Sequence, residues 1–211
     1  MSAQPASIAI ATDLPAYCTP VPLDKCYRLL NHGPTVLVSA QHGTQVNVMA
    51  AAWACALDFN PPKVTVVLDK ACRTRDLVQA SGRLVLQLPT QAQAALTVAV
   101  GSHSAHQMPD KLAQCEVQLF AAPGSGAAMV QGCAAWLECR VLPEPHNEQT
   151  YDLFIAQVTA AWADARVFRD GHWQFEHAPD ALRTLHYVAG GHFYATGQAV
   201  DVPPPSADTA T

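Results

Sequence analysis

The chain has 211 residues, half of them hydrophobic and only 14% charged, with a formal net charge of -5. This composition suits one compact domain with a sizeable core and excludes a largely disordered chain. The mild acidity, with few and scattered Lys and Arg, argues against a nucleic-acid binder, which carries a basic stripe.

In chain order, residues 1–22 read as an N-terminal arm that packs late. They lack the basic region and long apolar run of a secretory signal. The Gly33-Pro34 turn introduces a Val-rich strand over 35–40, and His42-Gly43-Thr44 turns into a second strand over 45–53. After Pro61-Pro62, which can neither continue a helix nor sit in a central strand, the β-branched run KVTVVLD predicts a strand over 63–69. A short helix is expected over 74–80, N-capped by Thr74 and stopped by Gly82. Residues 83–88 alternate, with Leu84, Leu86 and Leu88 on one face, as a half-buried strand does. A helix follows over 90–100, with a Thr90/Gln93 capping box and Gly101 as its stop. Pro109 opens a single helical turn over 109–114. Further strands are expected over 116–120, 134–142, 151–161, 172–175 and 186–194. Residues 200–211 form a Pro-rich tail expected to be disordered. Many short strands with few helices predict a mainly β fold of barrel type.

The seven cysteines (Cys18, Cys26, Cys55, Cys72, Cys115, Cys133 and Cys139) are odd in number and widely spaced, with no CxxC pair. Neither a zinc ribbon nor a thioredoxin-type motif is supported, and a cytoplasmic protein with reduced thiols is the simplest reading. The Ala-rich run over 49–57 is too short to span a membrane, so no membrane association is expected.

Three segments carry chemistry. In QVNVMAAAW the small side chains would let a flat ligand lie against the backbone. Asn47 supplies a donor and an acceptor, and Trp53 a flat surface. An ordinary core strand fits the same pattern. In Arg73-Thr74-Arg75 two guanidinium groups flank a helix start, where free N–H groups and the helix dipole suit a phosphate; a solvated helix start is the alternative. Gly101-Ser102-His103-Ser104, with Asp110-Lys111, could complete a phosphate or ribityl site, or be a polar loop in which His103 and His106 are simply solvated. GSHSA lacks the last Gly of a nucleophile elbow, GSG is not a dinucleotide fingerprint, and no metal-binding spacing of His or Cys occurs.

Taken in order, GPTVLVSA, NVMAAAW, PPKVTVVL, RTRDLVQASGRLVLQLP, GSHSAHQMPDKL, WLECRV, LFIAQV and LHYVAGGHFYATG resemble the flavin reductase-like family, whose fold is the FMN-binding split β-barrel. The resemblance covers residues 23–199. It implies that Asn47 and the backbone from Val48 through Met49, Ala50, Ala51 and Ala52 to Trp53 line an FMN ring and its ribityl chain. It further implies that Thr74, with Arg73 or Arg75, holds the phosphate, and that Ser102 and Lys111 lie near the flavin. His186, with Tyr187 and Tyr194, would stand behind the site or pack structurally. Two departures stand out: Tyr151 takes the place where many relatives carry a His, and Ala156-Gln157 replaces a common Gly and Glu. The implied activity is hydride acceptance from NAD(P)H, with electrons passed to free flavin, a partner oxygenase or another redox protein. The alternative is a flavoredoxin-like carrier with little NAD(P)H activity. A binding module that has lost flavin is disfavoured by the intact Asn47 and Thr74 motifs. The hydride step needs no acid–base side chain, so no catalytic residue is assigned. A homodimer is implied as well.

Overall fold

In a computed structural model, residues 8–203 are described, and their fold is mainly β. The chain lays down β1 (Val36–His42), β2 (Gln45–Ala51), β3 (Ala54–Phe59), β4 (Pro62–Val67), helix α1 (Arg73–Ser81), β5 (Arg83–Leu88), α2 (Ala94–Ser102), α3 (Lys111–Gln114), β6 (Ala135–Leu142), α4 (Pro145–Thr150), β7 (Leu153–Asp164) and a hairpin of β8 (Leu185–Ala189) with β9 (His192–Ala195). The main sheet runs β2-β1-β5-β6-β7-β4-β3, antiparallel throughout.

Strict alternation lets the sheet serve two cores. In one transverse row Val38 pairs with Leu86, Leu86 with Leu137, and Leu137 with Ala161; all four are buried in the barrel interior. One residue along, Leu37, Gln87, Trp136 and Trp162 are paired across the same strands and face the other way. That second face is covered by residues 112–133, and Leu37 and Trp136 are fully buried there. A one-residue slip would exchange the two rows, so the register is tightly specified. Polar clips hold the cover down. Gln87 Nε2 donates to Ser39 Oγ at 3.0 Å, Gln87 Oε1 accepts from the Val130 N–H, and Trp136 Nε1 donates to Val130 O at 2.9 Å.

Several boundaries differ from expectation. The second expected strand stops at Ala51, bends at Ala52-Trp53 and continues as β3 at the opposite edge of the sheet, where the outward Cys55, Leu57 and Phe59 are exposed. No Gly or Pro marks that bend. Of the expected arm, 1–7 lies outside the described residues and the rest is stitched into the body: Cys18–Pro20 pairs with the far end of β7, and Ile10–Ala11 pairs with Leu119–Phe120. Helix α4, opened by Pro145, lies between two expected strands, where no element was expected. Of the tail, 200–203 lacks regular structure, and 204–211 lies outside the described residues.

Candidate functional site

Two adjoining cavities open where β2 meets α1, α2 and the loop between α2 and α3. The larger, about 370 Å³, is lined by Asn47, Met49, Cys72, Arg73, Thr74, residues 103–107 and Lys111. The smaller, about 230 Å³, is lined by Thr35, Ala50, Ala51, Ala52, Thr97, Val98, Tyr187, Gly191 and Phe193. Gly101 and Ser102 belong to both walls, so β2 runs along one continuous slot. One end of that slot is polar and cationic, the other apolar.

Gly101 allows this closeness. It is not the helix stop expected from sequence, since α2 continues through it to Ser102. A Cβ at Gly101 would stand 3.1 Å from the Ala50 Cβ, so α2 lies against β2 only because both contacting residues are small.

At the polar end, Thr74 is not the N-cap of α1. Cys72 occupies that position, and Thr74 sits inside the first turn, fully buried. Its hydroxyl accepts a hydrogen bond from Asn47 Nδ2 at 2.9 Å. Asn47 Oδ1 is buried with no partner, a state native interiors rarely leave uncompensated. Lys111 is only 2% exposed, and among the described residues its ammonium makes no ion pair. Burial pulls its ammonium below the ordinary lysine value, opposed by the nearby Cys115 and Cys72 thiols. A buried cation without a counter-ion is costly, and it faces a cavity that also presents Arg73 and the start of α1. The arrangement is complementary to a small anion joined to an uncharged body that fills the apolar end.

The sequence matches the flavin reductase like domain over residues 28–194. The chain belongs to the flavin reductase-like family. An FMN-binding domain of a flavin reductases-like enzyme from Shewanella baltica OS155 is 52% identical, with a TM-score of 0.87 over 92% of this chain and 100% of that one. The uncharacterized protein YddH of Escherichia coli (strain K12) is 40% identical over 86% of this chain and 96% of its own. Flavoredoxin of Desulfovibrio vulgaris (Miyazaki F) shares the fold at 22% identity, with a TM-score of 0.66 over 84% of this chain and 92% of that one. The split-barrel fold expected from the family's motifs is therefore the fold observed.

Within this family fold the expected site residues separate. Asn47, Met49, Ala50, Ala51, Ala52, Arg73, Thr74, Ser102 and Lys111 line the slot. Val48 is adjacent in sequence but its side chain is buried in the second core, as strand alternation requires. Arg75 does not reach the slot: its guanidinium donates to Leu68 O at 2.8 Å and Glu148 O at 2.6 Å, pairs with Asp152 and lies over the Phe154 ring. It ties α1 to β4 and α4, so of the two arginines only Arg73 is placed for an anion. Trp53 is 74% exposed and Tyr151 60% exposed, and neither lines either cavity. Both flank the end of β4, where Val67 N–H donates to Trp53 O and Leu68 N–H to Asp152 O. His186 points away from the slot, with Nδ1 3.1 Å from Gly33 O and Nε2 3.2 Å from Thr196 Oγ1. Its strand neighbour Tyr187 lines the apolar end instead, paired edge-to-face with Phe193 across the hairpin. Sequence reasoning missed Thr97, Val98, Gly191 and Phe193. The signal available for the last two was the Gly190-Gly191 turn between two aromatic strands.

Proposed function

We propose that the slot binds FMN and that the protein is an NAD(P)H-dependent flavin reductase. The observation that carries this reading is the buried Lys111 ammonium, without a carboxylate partner, facing the cavity that Asn47 and Thr74 also line. The residues present fit the cofactor: one end offers cations and an orphaned amide oxygen, and the other offers small and aromatic apolar surface. Lys111, Arg73 and Thr74 would hold the phosphate. Asn47, Ser102 and the Ala50–Ala52 backbone would hold the ribityl chain and ring, with Tyr187 and Phe193 closing the apolar side.

When bound, FMN supplies the group that accepts a hydride from NAD(P)H. The protein's part is to fix the ring by its phosphate and to exclude water with the β8–β9 hairpin. The positive charge of Lys111 would favour ligand states that carry more negative charge. Electrons would pass on to free flavin, a partner oxygenase or another redox protein. We further propose a homodimer. Trp53, Leu57 and Phe59, on and beside the sheet-edge strand β3, expose a contiguous run of large apolar side chains, the kind of surface a second copy would cover. Among the described residues no helix is long and apolar enough to cross a membrane. We place the protein in the cytoplasm, where its thiols would stay reduced.

The test is the visible spectrum of the purified protein, followed by anaerobic addition of NADH and then NADPH. Flavin bands that are released as FMN on denaturation and bleach rapidly with either nucleotide support the reductase. Bound FMN that bleaches only slowly with both points to a flavoredoxin-like carrier. A colourless protein that fails to take up added FMN overturns the reading. Light scattering on a sizing column tests the dimer, and a monomer at micromolar concentration rejects it.

A further inference from the structure

At the outer rim of the polar cavity the Asp76 carboxylate is shared by a guanidinium and an imidazole. Its Oδ2 lies 3.2 Å from Arg73 Nη1 and 3.3 Å from His106 Nε2. Arg73 and His106 line the cavity, and Asp76 does not. The loop that presents His106 is ordered by its own bonds. Met108 N–H donates to Ser104 O at 2.9 Å, His106 N–H to Ser104 Oγ at 3.3 Å, and His103 Nδ1 lies 2.8 Å from Ala99 O. The other groups facing this rim are Cys72 and Arg73 from α1, Lys111 from α3 and His103 from the loop itself. With the imidazole neutral, Arg73, Lys111 and Asp76 leave a single net positive charge. Protonation of His106 raises it to two, the charge that balances a phosphate monoester dianion.

We propose that His106 is a specificity residue that takes up a proton as the ligand binds, selecting a flavin ending in a phosphate monoester over one ending in an alcohol. This rests on the FMN reading of the same slot and adds to it the residue that reads the terminal charge. The physical reason is a match of titration ranges. A phosphate monoester gains its second charge near pH 6, and an imidazole changes charge between about pH 5 and 8. Near neutrality each favours the charged form of the other.

The experiment compares the wild-type protein with H106Q and H106K. Riboflavin and FMN affinities come from flavin fluorescence quenching. Proton uptake on FMN binding comes from calorimetry at pH 7.5 in buffers of different ionisation enthalpy. For H106Q the expectation is an FMN affinity lower by about fivefold to tenfold, the scale of one charge-assisted bond at a partly exposed rim, with riboflavin affinity unchanged and proton uptake diminished. H106K should restore FMN affinity without restoring uptake. The assignment is overturned if H106Q keeps the wild-type FMN affinity and uptake. It is also overturned if riboflavin weakens as much as FMN, since His106 would then shape the slot and not read charge. A wild-type protein that binds neither flavin overturns the FMN reading itself, and this assignment with it.

Discussion

The covered face of the sheet and the slot both bury polar side chains, and they treat them oppositely. On the covered face Gln87 is fully buried and engaged through both ends of its amide, by Ser39 and by the Val130 N–H. In the slot Asn47, from β2, and Lys111, from α3, are as deeply buried, yet among the described residues Asn47 Oδ1 has no partner and the Lys111 ammonium no counter-ion. A satisfied buried polar group fixes one arrangement of the chain, whereas an unsatisfied one holds a cost that a ligand can remove. The contrast separates the part of the molecule that is architecture from the part that is a receptor.

The largest effect is expected for Trp136→Ala on the covered face. It removes the largest buried side chain and the bond to Val130 O. Unfolding free energy should fall by about 3–5 kcal/mol, measured by urea denaturation, with intrinsic flavin affinity preserved in whatever fraction stays folded. The slot should respond in the opposite sense. Lys111→Met should weaken FMN about tenfold to a hundredfold by fluorescence titration. The flavin-free protein should melt at an equal or higher temperature, because burial already disfavours the ammonium. A melting temperature that falls together with affinity would make Lys111 structural.

A third prediction uses pH. His32 is wedged against Trp173, Phe175 and His186, its Nε2 is 2.8 Å from Thr184 Oγ1, and burial with the His186 charge pushes its pKa down to about 4. Unfolded, the same imidazole binds its proton near pH 6.5, so the unfolded state gains stability as pH falls. The folded protein keeps its full margin above pH 6.5 and loses it as pH drops toward 4, about 2 kcal/mol of it by pH 5. His32→Phe should flatten that slope in urea midpoints compared at pH 7.5 and pH 5, and an unchanged slope would reject the assignment. The smallest effect is expected at the rim. Arg73→Ala should weaken FMN about fivefold with little change in stability, because Arg73 is bonded only to Asp76 and Gln45. Arg75→Met should do the reverse, destabilising because a buried guanidinium loses its three partners while intrinsic FMN affinity stays put.

The pair Arg73 and Arg75 shows where legibility ended. Two residues apart at a helix start, they are equivalent as composition and nearly so as pattern. Their roles divided because the helix turns by about 100° per residue, pointing one guanidinium at the slot and the other at carbonyls contributed by β4 and α4. The same holds for His186 and Tyr187, which strand alternation sends to opposite faces, and for Trp53, which a bend without Gly or Pro turns out to the surface.

By itself the sequence determined the strand-rich fold, the Thr90/Gln93 capping box, the Gly82 helix stop and the segments that meet at the slot, because alternation, capping and turn chemistry are local and short in range. Which side chains of those segments share a cavity depended on long-range packing. Tertiary contacts also decided that Lys111 is buried without a counter-ion among the described residues, that Gly101 is a point of close approach and not a helix stop, and that Cys18–Pro20 of the arm joins the sheet. Those facts depend on contacts between residues far apart in the chain, and no local pattern encodes what will stand opposite a side chain once the sheet has closed.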